Sequence, residues 1–326
     1  MRKQFENLTN DVVFTMEGRD IPVEAKIETI SKIGKVYEGL RVNRVGSNIS
    51  ACIDLAAVEE MLDANETYED ILRKICDCIE ANLDNCPDYT PVTNWEEAKD
   101  KLMVVLVPAE TNAAVLETCP HQILNDSDIA AVYKVFVGED DKGTMATCLV
   151  TNSLLTSYGV TEDELRDAAM KSTFQTQGKT VVESLFQKLA GMMGNASEEE
   201  MDIIANLEEG KDKFKKEPMY YISNAKGFNG ASVILRDGVL KSFYDRIQTG
   251  FYMLPASIHE WLLVPDDSES ISGKTPELVV RDFTEMVASV NDNELLPEEL
   301  LSYTPYHFDG ETFEKAATYA AKTNAA

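Results

Sequence analysis

The sequence predicts an α+β protein, a mixed sheet with flanking helices, and three observations carry that prediction. Residues 23–30 (Val-Glu-Ala-Lys-Ile-Glu-Thr-Ile) alternate apolar and polar, as a half-buried strand does. Ile71, Ile75, Ile79 and Leu83 recur every four residues, which lines up one face of a helix. Phe251 to Pro265 holds two short apolar runs broken by Pro255-Ala256-Ser257, which reads as two strands around a turn.

Taken in order, residues 22–53 read as a β-meander. Gly34 breaks the first strand, Val36 to Asn43 alternates again, and Asn48 to Ile53 gives a third. Two helices follow, the second from Thr67 to about Asn85. Cys76 and Cys78 lie on it two positions apart, about 200° around the axis, so they cannot clamp one metal. Pro87 and Pro91 close this first region, which gives an N-terminal domain over 1–90 and a larger mixed α/β region over 91–326, with a sub-boundary near 195–217.

In the larger region Trp95 to Lys101 reads as a helix, Leu102 to Val107 as a buried strand and Ala109 to Glu117 as a short helix. Two stretches then share one order. Tyr133-Lys-Val-Phe-Val, Met145 to Val150 and Asn152 to Tyr158 form a ββα series. Tyr220-Tyr-Ile-Ser, Ala231 to Leu235 and Gly238 to Tyr244 give a second, which reads either as a repeated ββα unit or as coincidence. Gly227 and Gly230 would turn the second hairpin. Thr161 to Glu164 and Ser197 to Glu200 are capping boxes, in which a hydroxyl and a carboxylate each satisfy a free backbone N–H. Residues 197–218 alternate charge runs, which reads as a solvated helix. A further helix spans Pro276 to about Val290, and Ala316 to Ala326 is expected to fray.

Composition narrows the function classes. Thirty basic residues against 57 acidic ones leave a net charge of −27, which disfavours nucleic-acid phosphates and anionic membranes as partners. Met1 is followed by no apolar signal region, and no window is long and apolar enough to span a membrane, so the expected location is cytoplasmic. Six cysteines are too sparse for a disulfide scaffold. There is no Walker loop, no Gly-x-Gly-x-x-Gly and no Gly-x-Ser-x-Gly elbow, and neither a cofactor nor a metal is expected.

Four stretches carry a family resemblance: Tyr37-Glu-Gly-Leu-Arg-Val through Ser50; Lys101 to Val107 with Asn112, Leu116 and Pro120-His121; Cys148-Leu-Val-Thr-Asn-Ser-Leu-Leu through Glu164, Ala168 and Thr173; and Met219-Tyr220 through Ala231, then Leu254-Pro255 to Val264. Together they cover most of residues 25–310, and the chain resembles the bacterial domain-of-unknown-function family 5688, common in gut Firmicutes. Ala231 to Val264 is also distantly similar to family 1444. The chain departs from the first family's pattern at Ala51-Cys52, at Gln122 and at Ala256. The resemblance implies architecture and lineage and transfers no catalytic residue.

The chemistry-bearing residues are few. Only three histidines occur, His121, His259 and His307. Ser257, His259 and Glu260 crowd one turn and are the candidate catalytic group, against the alternative of a structural histidine that bonds turn backbone. Cys119-Pro120-His121 offers a thiol beside a base but no oxyanion loop. Cys52 and Cys148 read as small buried hydrophobes. Tyr220, Tyr221, Tyr306 and His307, together with His121, are candidate binding residues, because clustered amphipathic rings suit a ligand groove as well as a core.

The leading expectation is a non-catalytic binding or interaction protein, associated with a mobile element, whose partner is another protein or a small molecule. The alternatives are a hydrolase-like enzyme centred on Ser257, His259 and Glu260, and an acidic decoy of a basic partner or of DNA.

Overall fold

The computed structural model describes residues 7–47, 50–64, 66–84, 90–125, 127–139, 145–185, 188 and 217–325. The second expected capping box, at Ser197, and the expected sub-boundary near 195–217 fall outside them, apart from Glu217 itself. The chain divides into two compact units, Met1–Asp88 and Tyr89–Ala326.

In the first unit, α1 (Leu8–Glu17) precedes a three-stranded antiparallel sheet of β1 (Val23–Lys32), β2 (Lys35–Arg44) and β3 (Ser50–Asp54), followed by α2 (Leu55–Asp63) and α3 (Tyr68–Asp84). Gly34 turns the β1–β2 hairpin at a φ of 78°, which a residue without a Cβ adopts at little cost. Asp54 ends the sheet and starts the next helix: its carboxylate accepts from the Ala56 N–H at 3.0 Å. The four-residue row Ile71, Ile75, Ile79 and Leu83 of α3 is buried with Leu8, Val12, Leu40 and Val42, so the periodicity marks the core face.

The second unit holds two antiparallel sheets. The four-stranded one comprises β4 (Leu102–Pro108), β5 (His121–Ile123), β6 (Ile129–Glu139) and β7 (Met145–Leu149), and β6 pairs with the other three. Short helices α4 (Thr90–Thr93), α5 (Trp95–Ala98) and α6 (Ala113–Leu116) flank it, and α7 (Asn152–Tyr158) and α8 (Glu162–Thr176) follow. The Thr161–Glu164 capping box starts α8 as the sequence predicts. Thr173 on α8 accepts the Val104 N–H at 2.8 Å, which ties the helix to β4.

The six-stranded sheet runs β13-β12-β10-β11-β9-β8, from β8 (Thr180–Ser184), β9 (Tyr220–Asn224), β10 (Phe251–Pro255), β11 (Trp261–Pro265), β12 (Tyr306–Phe308) and β13 (Phe313–Lys315). Helices α9 (Val239–Ile247) and α10 (Pro276–Glu294) precede and follow the β10–β11 pair. One buried apolar cluster joins Leu102, Val104 and Tyr133 of the first sheet to Tyr220, Phe251 and Trp261 of the second. A smaller one packs Tyr252, Leu254 and Val264 against Val279, Phe283 and Val287 of α10.

The architecture is α+β, with three antiparallel sheets rather than one mixed sheet among the described residues. Three local expectations are corrected. Gly230–Leu235 is a 3-10 helix, not a strand, so the second ββα unit does not form among the described residues. Asn229 stands at a φ of 50°, and the Ala231 N–H bonds the Ile258 carbonyl rather than a sheet neighbour. Ala316–Ala325 forms a helix, α11, with Ala316 and Ala320 buried, rather than fraying. Cys52 and Cys148 lie on strands but are only partly buried.

Candidate functional site

The β10–β11 turn brings Ser257, His259 and Glu260 together and occupies all three. Ser257 is buried and donates its hydroxyl to Glu260 Oε1 at 2.5 Å. The backbone N–H of His259, not its ring, contacts Ser257 Oγ at 2.9 Å. The ring Nδ1 accepts the Asn229 N–H at 3.0 Å, and Nε2 stands 3.9 Å from Glu299 Oε1. A serine nucleophile needs a ring nitrogen to take its proton, and here that proton goes to a carboxylate three residues along the chain.

The rest of the turn is also cross-linked. Ser223 Oγ donates to the His259 carbonyl at 2.7 Å, and the Trp261 indole N–H donates to the Ala231 carbonyl at 2.9 Å. A Cβ on Gly230 would stand 2.5 Å from the His259 carbonyl oxygen and 2.8 Å from the Asn224 nitrogen, so only glycine fits this approach. The constellation is one rigid corner joining β9, the 3-10 turn and β11.

The other two histidines stand elsewhere. His307 pairs with Tyr252, three residues along β10 from the turn. Its buried ring stacks on Tyr319 at 3.5 Å and sets Nε2 2.9 Å from Asp266 Oδ1, which makes Nε2 the protonated nitrogen. His121 is on β5 in the other sheet, and its Nδ1 lies 3.0 Å from the Cys119 carbonyl rather than the thiol. Burial pushes that thiol up to about 11, so Cys119 stays protonated near neutrality.

The aromatic candidates are core residues. Tyr220 packs edge-on against Phe243 at 5.1 Å, and Tyr221 is buried under the Lys188 ammonium at 4.5 Å. Tyr306 stacks on Phe313 and donates a hydroxyl hydrogen bond to Asp128, which also accepts from Ser302 and Thr304. Burial, then Asp128, raises the Tyr306 phenol far above its ordinary range. Among the described residues no group of three or more His, Cys, Asp or Glu is placed to hold a metal ion.

What the sequence reading missed is a cavity of about 550 Å³ on the inner face of the β4–β6–β5 sheet. Val104, Gln122, Ala131 and Tyr133 line it, and the register requires this: Val104 pairs with Tyr133 and Gln122 with Ala131, so all four point to one side. Arg166, Asp167 and Met170 of α8 form one wall; Leu235, Asp237, Leu240 and Phe313 contribute others. Tyr133 is 4% exposed, and its hydroxyl makes no hydrogen bond among the described residues. Burial raises its phenol, the Arg166 guanidinium opposing, so it is a neutral donor at physiological pH. The signal available in the sequence was the alternation of Ala131, Tyr133 and Val135, which marks a sheet face but not what that face meets.

A family model described as a family of unknown function (DUF5688) matches residues 3–310. The chain belongs to this family. The match spans both compact units, so the family is defined by the pair rather than by one of them. No curated protein and no solved structure matches the chain. No helix among the described residues is long and apolar enough to cross a membrane.

Proposed function

We propose that this member of the DUF5688 family is a non-catalytic binding protein and that the cavity over the β4–β6–β5 sheet holds a small molecule. The observation that carries this reading is the cavity itself, with an apolar floor, a few polar groups at its edge and a largely buried tyrosine whose hydroxyl has no partner among the described residues. A volume of about 300–1,000 Å³ with that division of lining is what small-molecule sites offer. The Ser257–Glu260 corner supports the non-catalytic half, because its serine, its histidine Nδ1 and its carboxylate are all engaged within the fold.

The test is a thermal-shift screen of the intact protein against a panel of small molecules, with hits followed by titration calorimetry. A ligand at about 100 times its Kd should stabilise the protein by about 2.7 kcal/mol, which at about 2–4 °C per kcal/mol raises Tm by about 5–11 °C in a unit of this size. Leu235→Trp and Met170→Trp each fill the cavity from a partly buried position and should abolish the shift while leaving the circular dichroism spectrum intact. Binding indifferent to both variants would place the ligand elsewhere. Conversion of a bound compound, seen by mass spectrometry after incubation, would overturn the non-catalytic reading.

A further inference from the structure

We infer that the ligand of this cavity is a small organic cation, an apolar body carrying a protonated amine at the rim and a hydrogen-bond acceptor that reaches Tyr133. The inference rests on the binding reading above and adds the chemical class.

The charge balance at the rim comes first. Three charged residues line the cavity, Arg166, Asp167 and Asp237, so carboxylates outnumber the guanidinium. Arg166 is already engaged: its Nη1 lies 2.9 Å from Asp163 and its Nε 3.7 Å from Asp167. An incoming carboxylate would compete with both for the guanidinium and would meet Asp237 unpaired. An incoming ammonium meets Asp237 and, beside Arg166 at 3.7 Å, Asp167, and a cleft with apolar walls concentrates their field. The net charge of −27 acts in the same direction at long range.

The interior supplies the other two features. Val104, Ala131, Met170 and Leu235 give an apolar floor, and the Phe313 ring lines the wall. Aromatic faces attract ammonium groups as well as apolar bodies. The Tyr133 side chain is more than nine-tenths buried and its hydroxyl has no partner among the described residues, so a ligand carbonyl or ether oxygen that reaches it gains a hydrogen bond that a hydrocarbon cannot make.

The experiment compares four probes on the full chain by titration calorimetry at pH 7: 4-phenylbutylamine, 4-phenylbutan-1-ol, 4-phenylbutanoate and the para-acetyl derivative of the amine. The amine should bind at least tenfold more tightly than the alcohol, and the carboxylate more weakly than either. Asp237→Asn, at an exposed position, should cut the amine's lead over the alcohol about threefold with the alcohol's own affinity as the control. The acetyl group should add affinity in the native protein and none in Tyr133→Phe. Equal binding of amine and alcohol, or tighter binding of the carboxylate, overturns the cationic class while the cavity reading stands. No binding of any probe overturns the inference, and the cavity reading falls with it only if the broad panel also fails.

Discussion

Asn229 donates its backbone N–H to Nδ1 of His259 across 3.0 Å, thirty residues apart in the chain. The bond makes Nδ1 an acceptor and leaves the ring proton on Nε2, toward Glu299. His259→Ala leaves the Asn229 N–H without its partner in a half-buried corner, and the expected cost is about 1–3 kcal/mol. Urea unfolding measures it as a lower midpoint at unchanged slope. A midpoint equal to the native one would show that the ring contributes nothing to the fold.

Gly230→Ala is the most damaging single change predicted at that corner. Its Cβ would meet Ser223 Oγ at 2.0 Å and two backbone atoms under 3.0 Å, and backbone cannot swing aside. The expected loss is about 3 kcal/mol or more, from overpacking. Gly46→Ala is the comparison: at a φ of 82° with nothing within 4 Å, it should cost only the conformational strain of about 1–2 kcal/mol. Equal melting temperatures for the two variants would refute the steric argument.

The Asp128 carboxylate gathers three hydroxyls, Ser302, Thr304 and Tyr306, and so fastens the β5–β6 connection to the segment that leads into β12. Asp128→Asn keeps one acceptor oxygen and turns an NH2 donor toward hydroxyls that are themselves donors. The expected destabilisation is about 2–3 kcal/mol, the scale of hydrogen bonds to a charged group. Calorimetry should show Asp128→Asn losing more than Ser302→Ala, because the latter removes one of the three bonds to the carboxylate and the Thr304 N–H bond to Ser302 Oγ but leaves the charged hub in place. The reverse order would mean that the carboxylate is not the hub.

Alkaline pH should destabilise this protein through its buried phenols. Burial pushes the Tyr158 phenol from about 10 up to about 12, and it holds Tyr252 and Tyr306 higher still. The sign follows: the folded state keeps the proton that the unfolded chain gives up, so this stability is full below about pH 10 and is lost as pH rises toward 12. For Tyr158 the rise from about 10 to about 12 corresponds to about 2–3 kcal/mol at most. Tyr158→Phe loses the hydroxyl's bond to the Val92 carbonyl at 2.5 Å, yet its stability should fall less steeply than the native protein's between pH 10 and 12. Parallel curves would show that this phenol does not drive the alkaline transition.

Local signals and distant contacts divide what the sequence could reveal. The alternation of residues 23–30, the row Ile71 to Leu83, the Phe251–Pro265 strand pair and the Thr161–Glu164 cap are written in residues a few positions apart, and the sequence by itself determined them. It also determined the family, through four stretches spread over most of the chain. Tertiary structure alone decided that Ala231 to Leu235 is a 3-10 turn, because Gly230 there meets the His259 carbonyl and Trp261 bonds Ala231. It alone decided that Ser257, His259 and Glu260 bond within the fold and that Tyr133, Arg166 and Asp237 surround one cavity. Apart from the local Ser257–Glu260 contact, those partners lie tens of residues apart, and periodicity and capping carry no information about which sheet face a distant helix or turn will cover.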